Sequence, residues 1–149
     1  MYRPRVDAFI YLLLGSDTTE PDPGEATIPL ADQGIGDADV HDTLAPPGTG
    51  GIYLVYQYMG GYDINASGKF RVMGSLLYAV KVSGEDVSIN TLKPFADRID
   101  TLLQRENRTI DGHYISGRRE SELVLPPVAN GDAISREIGG LYRFWVHKV

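Results

Sequence analysis

The spacing of apolar residues near the start of the chain predicts a helix over residues 3–14. Apolar side chains recur there at intervals of three and four, which places them on one helical face. This face comprises Val6, Phe9, Ile10, Leu13 and Leu14. Gly15 and Ser16 then predict the end of the helix.

A second helix is predicted over residues 90–104, where the same spacing is clearer. Asn90 or Thr91 can cap its N-terminus, and Pro94 is acceptable in a first turn. Its apolar stripe comprises Leu92, Phe95, Ala96, Ile99, Leu102 and Leu103. The side chains predicted to lie off the stripe are Asp97, Arg98, Asp100, Thr101 and Gln104.

Four segments rich in aromatic and β-branched residues predict strands. Gly60 and Gly61 are expected to weaken pairing beyond the first of them, and residues 65–68, 83–86, 107–112 and 130–132 are expected to form turns or loops. The strands are predicted over residues 52–59, 70–82, 113–125 and 137–146.

The predicted order is therefore α-β-β-α-β-β within a single domain, residues 1–149. Such an order favours an α+β fold, in which a four-stranded, mostly antiparallel sheet carries the two helices on one face. Residues 17–51 do not fit this scheme, because they are rich in Pro, Gly and Asp and lack a sustained period. We predict that they form a long irregular arm, which is either functional or disordered.

The acidic residues are concentrated in that arm. The chain of 149 residues has a net charge of −6, yet residues 1–68 hold two basic and ten acidic residues. Eight of these ten lie between Asp17 and Asp42, whereas residues 69–149 have a net charge of +2. This distribution argues against a strongly basic nucleic-acid-binding protein.

Known catalytic and metal-binding patterns are not found in the sequence. The chain has no Cys, its histidines (41, 113 and 147) lack ligand spacing, and it contains neither a Gly-x-Ser-x-Gly elbow nor a Walker loop. Asp37, Asp39 and Asp42 fail the EF-hand pattern, which requires a Gly at position six and a Glu at position twelve. We therefore expect no catalytic residues, no metal and no cofactor.

No membrane segment is predicted either. The longest apolar run, residues 8–14, is far shorter than the roughly 20 residues of a spanning helix. Asp7 interrupts the only stretch that resembles a signal peptide, and no cleavage site follows it. We therefore expect a protein that stays in the cytosol where it is made.

Several short motifs, taken in order, resemble the tail terminator (tail-completion or neck) proteins of long-tailed bacteriophages. The resemblance covers roughly residues 41–147, and residues 17–40 lie outside it. The motifs are 45–49 (APPGT), 53–58 (YLVYQY), 61–63 (GYD), 77–81 (LYAVK), 96–103 (ADRIDTLL) and 139–146 (GGLYRFWV).

This resemblance implies a virion structural protein without enzymatic activity. A homohexameric ring would cap the tail tube protein and join it to the head–tail connector at the neck. Genomic DNA would pass through the lumen without sequence readout. The expected location is the tail–neck junction of the virion, after assembly in the host cytoplasm.

Cyclic rings use heterologous contacts, in which two different patches of one protomer meet in the assembly. The charge distribution provides two such patches, and we hypothesise that acidic arm residues face basic residues of a neighbour. The acidic candidates are Asp37, Asp39 and Asp42, and the basic candidates are Arg118, Arg119 and Arg143.

Three alternatives remain from the sequence. Within the same class, the chain would be another head–tail joining or minor tail protein. From other classes, it would be a small α+β enzyme that uses Asp or Glu clusters with a divalent ion, or a ligand- or peptide-binding module whose arm closes over a groove.

Overall fold

The computed structural model describes residues 2–15, 17, 29–36, 39–46, 49–66, 70–104 and 106–149. They form two helices and seven strands, with a short 3-10 turn at Ala31–Gln33. The helices are α1 (Arg3–Gly15) and α2 (Ile89–Leu103). The strands are β1 (Val40–Asp42), β2 (Ile52–Ala66), β3 (Phe70–Glu85), β4 (Asn107–Ile110), β5 (His113–Val124), β6 (Val128–Asn130) and β7 (Ala133–Lys148).

All seven strands belong to one curled, mixed sheet that resembles half of a barrel. Its order is β1-β2-β3-β7-β5-β4, and β6 pairs with the beginning of β7. The β1–β2 pair is parallel, and every other described pair is antiparallel. Each of the long strands β2, β3, β7 and β5 is therefore antiparallel to the next, and β7, the last strand of the chain, lies between β3 and β5.

The predicted fold, a four-stranded sheet flanked by two helices, is wrong. Strand β1 comes from the arm predicted to be irregular, β4 from residues predicted to be a loop, and β6 precedes a predicted turn. These strands are only three or four residues long, too short to show an alternating pattern. Strand β1 is placed by pairing with β2, and β4 and β6 form tight hairpins with β5 and β7, the strands that follow them.

Three of the long strands, β2, β3 and β7, also extend beyond their predicted ends. Strand β2 continues across Gly60 and Gly61, and a bulge between Tyr58 and Gly60 keeps it paired with β3. Gly60 has a φ of 137°, a conformation that favours glycine. A Cβ on Gly61 would lie 2.4 Å from the carbonyl oxygen of Ser75. The two glycines thus allow the pairing that they were expected to weaken.

Both helices pack on the same face of the sheet, which we call the helix face. Every residue of the predicted α1 stripe is buried there, and so are four α2 residues of the predicted stripe, Leu92, Phe95, Ile99 and Leu103. Alternate residues of the long strands complete this core, including Leu54, Tyr78, Ile115, Tyr142 and Phe144. Each fully buried large apolar side chain stabilises the fold by roughly 1.5–3 kcal/mol.

Two details of α2 differ from the prediction. Ser88 is the N-cap, and its Oγ accepts a hydrogen bond from the backbone N–H of Thr91 at 3.2 Å. Arg98, predicted to lie off the apolar stripe, is 2% exposed and forms an ion pair with Asp17. The first residue of the arm is thereby attached to α2. Neither helix is long and apolar enough to cross a membrane, among the residues that are described.

Candidate functional site

The face of the sheet opposite the helices, which we call the open face, carries the alternate residues of β2, β3, β5 and β7. Its middle is apolar and comprises Val55, Leu77, Ala79, Leu141 and Trp145. Val55 and Ala79 are buried, and the other three are partly buried. The curl of the sheet therefore shields an apolar strip on a face against which neither helix packs.

Arg143 of β7 connects four strands on the open face. Its Nε and Nη2 donate hydrogen bonds to the carboxylate of Glu120 in β5. Its Nη1 donates to the Oγ of Ser75 in β3 at 2.9 Å, and its guanidinium lies 5.7 Å from the ring centroid of Tyr62 in β2. The hydrogen bond from Arg143 lowers the pKa of Glu120, and the same contact raises the pKa of Arg143.

A second polar cluster lies nearer the other end of the open face. Lys81 Nζ lies 3.0 Å from Glu137 Oε2, and Ser83 donates to Glu137 Oε1 at 2.9 Å. The end of the arm, including Thr43 and Pro46, borders a cavity of about 240 Å³ beside these residues. That volume is below the roughly 300–1,000 Å³ of small-molecule sites, and its lysine and glutamate already bind each other.

Two of the three basic candidates are brought together. Arg118 and Arg143 are direct register partners of β5 and β7 on the open face. Arg119 points to the helix face, where its Nε lies 3.3 Å from Asp100 Oδ1. Two candidates therefore already have carboxylate partners within the protomer, Glu120 for Arg143 and Asp100 for Arg119.

The acidic candidates lie at the opposite side of the sheet. Asp42 ends β1, where it is the register partner of Tyr56. The Oδ2 of Asp39 accepts a hydrogen bond from the backbone N–H of Gly36 at 3.0 Å. Asp37 lies outside the described residues. Because β2, β3 and β7 separate β1 from β5, Asp39 and Asp42, the described acidic candidates, do not meet the basic candidates within one protomer.

A buried tyrosine joins β3 to α1 near Asp42. The hydroxyl of Tyr78 donates to Asp7 Oδ1 at 2.6 Å. Burial raises the pKa of Asp7, and the negative charge of Asp42 raises it further. Burial likewise raises the pKa of Tyr56 to about 12. Both tyrosines therefore keep their protons at neutral pH, and the Tyr78 hydroxyl acts as a hydrogen-bond donor.

Sequence reasoning missed the two outer edges of the sheet. Strand β1 pairs with β2 at Leu54, Val55 and Tyr56, and beyond them no described strand covers residues 57–66, which we call the β2 edge. Strand β4 pairs with β5 from His113 to Ser116. No described strand covers residues 120–124, the β5 edge.

Exposed apolar side chains lie on both edges. On the β2 edge, Met59 is 53% exposed, Tyr62 59% and Ile64 41%, and on the β5 edge Val124 is 60% exposed. Residues of this kind in an apolar segment look like core residues in the sequence. They are recognised as edge residues only in the structure, where the pairing of β2 with β1 and of β5 with β4 ends before them.

Among the described residues, no group of three or more His, Asp and Glu side chains is arranged to hold a metal ion. No protein-family model matches the chain. No curated protein matches it either.

Proposed function

We propose that this chain is a virion structural protein of the tail terminator type, which assembles head-to-tail into a closed ring at the end of a phage tail. The observation that carries the proposal is the separation of Asp39 and Asp42, at β1, from Arg118 and Arg119 of β5 on the other side of one curled sheet. A protomer with two different, complementary sides forms heterologous contacts, and these give a ring when the rotation closes.

In this role the ring caps the last ring of the tail tube protein, stops further tube growth and presents a surface to the head–tail connector. The mechanism is binding and shape, without covalent chemistry. The net charge of −6 suits a channel for DNA, because an acidic wall repels a polyanion and a basic wall would retain it. A hexamer is the assembly that the sequence resemblance implies.

Native mass spectrometry over a range of protein concentrations tests the proposal. We expect a closed ring of six, and we expect added ring to stop the growth of purified tail tubes in electron micrographs. A protein that stays monomeric at high concentration and leaves tube growth unchanged would overturn the proposal.

Charge reversal tests the candidate residues. Arg118→Glu combined with Arg119→Glu should weaken assembly, most strongly at low salt, where charge interactions are least screened. Lys93→Glu, on the exposed side of α2, is the matched control and should assemble normally. A ring that is unaffected by the double reversal would exclude these arginines from the interface.

A further inference from the structure

We infer that neighbouring protomers join by main-chain pairing, in which the β2 edge of one copy binds the β5 edge of the next. This inference rests on the proposed ring and specifies its interface, in which Asp63 of β2, in place of the arm carboxylates, faces the basic residues of β5. The β2 edge, residues 57–66, contains no Lys and no Pro, two residues with which proteins commonly protect exposed strand edges from pairing. The occupant that fits it is the β5 edge of a second copy of this chain.

The two edges run in opposite directions. Three successive antiparallel pairs, β2–β3, β3–β7 and β7–β5, separate them. Copies related by rotation about an axis along the strands therefore present these edges to each other as an antiparallel pair.

The β2 edge and the β5 edge also lie at opposite ends of the sheet. Strand β1 covers the beginning of β2, and β4 covers the beginning of β5. Pairing must therefore be staggered along the strand axis. Stagger between strands is what a closed barrel requires, since strands tilt relative to the barrel axis.

Backbone hydrogen bonds show which residues of β2 direct their N–H and C=O groups outward, away from β3. The carbonyl of Tyr56 accepts from the N–H of Thr43 at 2.8 Å, on the outer side of β2. Successive residues of a strand alternate in this respect, so Tyr58 also points outward. After the bulge at Met59, Gly61 and Asp63 do so.

The same reasoning applies to β5. The backbone N–H of Arg119 donates to the side-chain oxygen of Gln104 at 2.6 Å, so it points away from β7. After the bulge between Arg119 and Ser121, Glu122 and Val124 point outward. Consistent with this alternation, the N–H of Leu125 donates to the Glu137 carbonyl in β7.

One antiparallel register satisfies all of these directions. It pairs Val124 with Tyr58 and Glu122 with Gly61, and just beyond the β5 edge it sets the side chains of Arg119 and Asp63 opposite each other as a last pair, while the Arg119 backbone N–H keeps its bond to Gln104. Both members of the last pair lie toward the helix face, because Arg119 contacts Asp100 of α2 and Asp63 lines a cavity with Tyr2 and Arg3 beside the start of α1. Opposite charges directly across a strand pair are stabilising.

The neighbouring registers are unfavourable. A shift of two residues in one direction places Glu122 across from Asp63, and like charges directly opposite each other destabilise a strand pair. A shift in the other direction moves Val124 onto Tyr56, whose outer side β1 already occupies. Charge and steric exclusion therefore select the same register.

Disulfide cross-linking tests this register directly, because the chain contains no Cys. The register places Tyr62 opposite Ser121 on the open face, and both residues are exposed. The backbone N–H and C=O groups of both residues are directed to the neighbouring strand of their own protomer and not across the interface. In such a non-hydrogen-bonded pair the Cα atoms lie about 4.5 Å apart, within the range of a disulfide. In the double variant Tyr62→Cys, Ser121→Cys, mild oxidation should give a ladder of linked protomers that ends at the ring size. Tyr62→Cys with Lys93→Cys is the control and should give no ladder.

Charge exchange provides a second measurement. Asp63→Arg should shift the native mass spectrum from ring to monomer, and Asp63→Arg combined with Arg119→Asp should restore the ring. Leu44→Lys, at a position 79% exposed and outside the strands, should leave the ring intact.

The outcomes separate the two proposals. A ring of six that neither cross-links nor responds to Asp63→Arg would overturn edge pairing and leave the ring standing. Cross-linked open filaments would support edge pairing and overturn the closed ring. A monomer under all conditions, without a ladder, would overturn both.

Discussion

Asp17 and Arg98, which lie 81 residues apart, form a buried bidentate ion pair. Arg98 Nε donates to Asp17 Oδ2 at 2.8 Å, and Nη2 donates to Oδ1 at 2.9 Å. The same Oδ2 accepts a hydrogen bond from the backbone N–H of Leu30 at 2.7 Å, and the Asp17 carbonyl accepts from Ala31. The pair therefore fastens both ends of the segment between α1 and the 3-10 turn to α2.

Removing one partner of this pair should be strongly destabilising. In Arg98→Leu, the Asp17 carboxylate stays buried without its counter-charge, and such losses cost about 3–5 kcal/mol. Asp17→Leu should cost a similar amount. The double variant should cost less than the sum of the two, although Leu30 then lacks an acceptor. Urea unfolding of the four proteins measures this coupling, and additive losses would contradict it.

The burial of Arg98 illustrates what the sequence could and could not predict. Arg98 lies three residues after Phe95 and four before Leu102, inside the apolar arc of α2. A charged side chain is normally assigned to solvent, because its burial is costly without a partner. The partner lies in the aperiodic arm, and no local pattern connects the two.

The elements with long periodic patterns were predictable, and the strands of three or four residues were not. Both helices and the positions of the four long strands follow from local periodicity. Strands β1, β4 and β6 are too short to show an alternating pattern, although β4 and β6 pair in tight hairpins with the strands that follow them. The same limit applies to the candidate site: charge patterning identified Arg118 and Arg143, but only the register of β5 and β7 puts them side by side.

The pair of Asp7 and Asp42 should make stability depend on pH. Burial and then Asp42 raise the pKa of Asp7, against the opposing effects of Tyr78 and Arg3. The charged carboxylate is thus disfavoured in the folded state at neutral pH. As pH falls through its raised folded pKa toward the ordinary value of 3.8, this destabilising contribution is lost.

Asp7→Asn isolates this contribution, because the amide oxygen still accepts the hydrogen bond from Tyr78. The variant should be more stable than the wild type at pH 7, and the difference should shrink as the pH approaches 4. Thermal unfolding at several pH values measures it. Asp132→Asn, at an exposed turn position, is the control, and an equal pH dependence in both variants would refute the assignment.

The Arg143 cluster on the open face should stabilise the sheet through Ser75 more than through Glu120. Ser75 is fully buried, and its hydroxyl accepts a hydrogen bond from Arg143. Arg143→Met leaves that hydroxyl without this partner, which costs about 1–3 kcal/mol. Glu120→Gln removes only an exposed charge interaction, and we expect a loss of about 0–1 kcal/mol. Chemical denaturation should rank the two variants in this order, and the reverse order would contradict the assignment.

Gly139 is required where β7 passes close to the backbone of β3. The sequence places a Gly139-Gly140 pair in the last strand, which predicts either a bulge or a close backbone approach. The register between β3 and β7 is continuous there, so the close approach is confirmed. A Cβ on Gly139 would lie 2.0 Å from the Val80 carbonyl oxygen and 2.8 Å from Lys81 Cα.

Gly139→Ala should therefore destabilise the protein, because both contacts are with backbone and neither strand can move without breaking ladder hydrogen bonds. Overpacking of this kind costs about 1–3 kcal/mol. Gly36→Ala is the matched control, since a Cβ there meets nothing within 4 Å. Thermal unfolding of both variants compares them. If Gly139→Ala unfolds at the wild-type temperature, β3 and β7 can move apart enough to accommodate a Cβ, and the prediction is wrong.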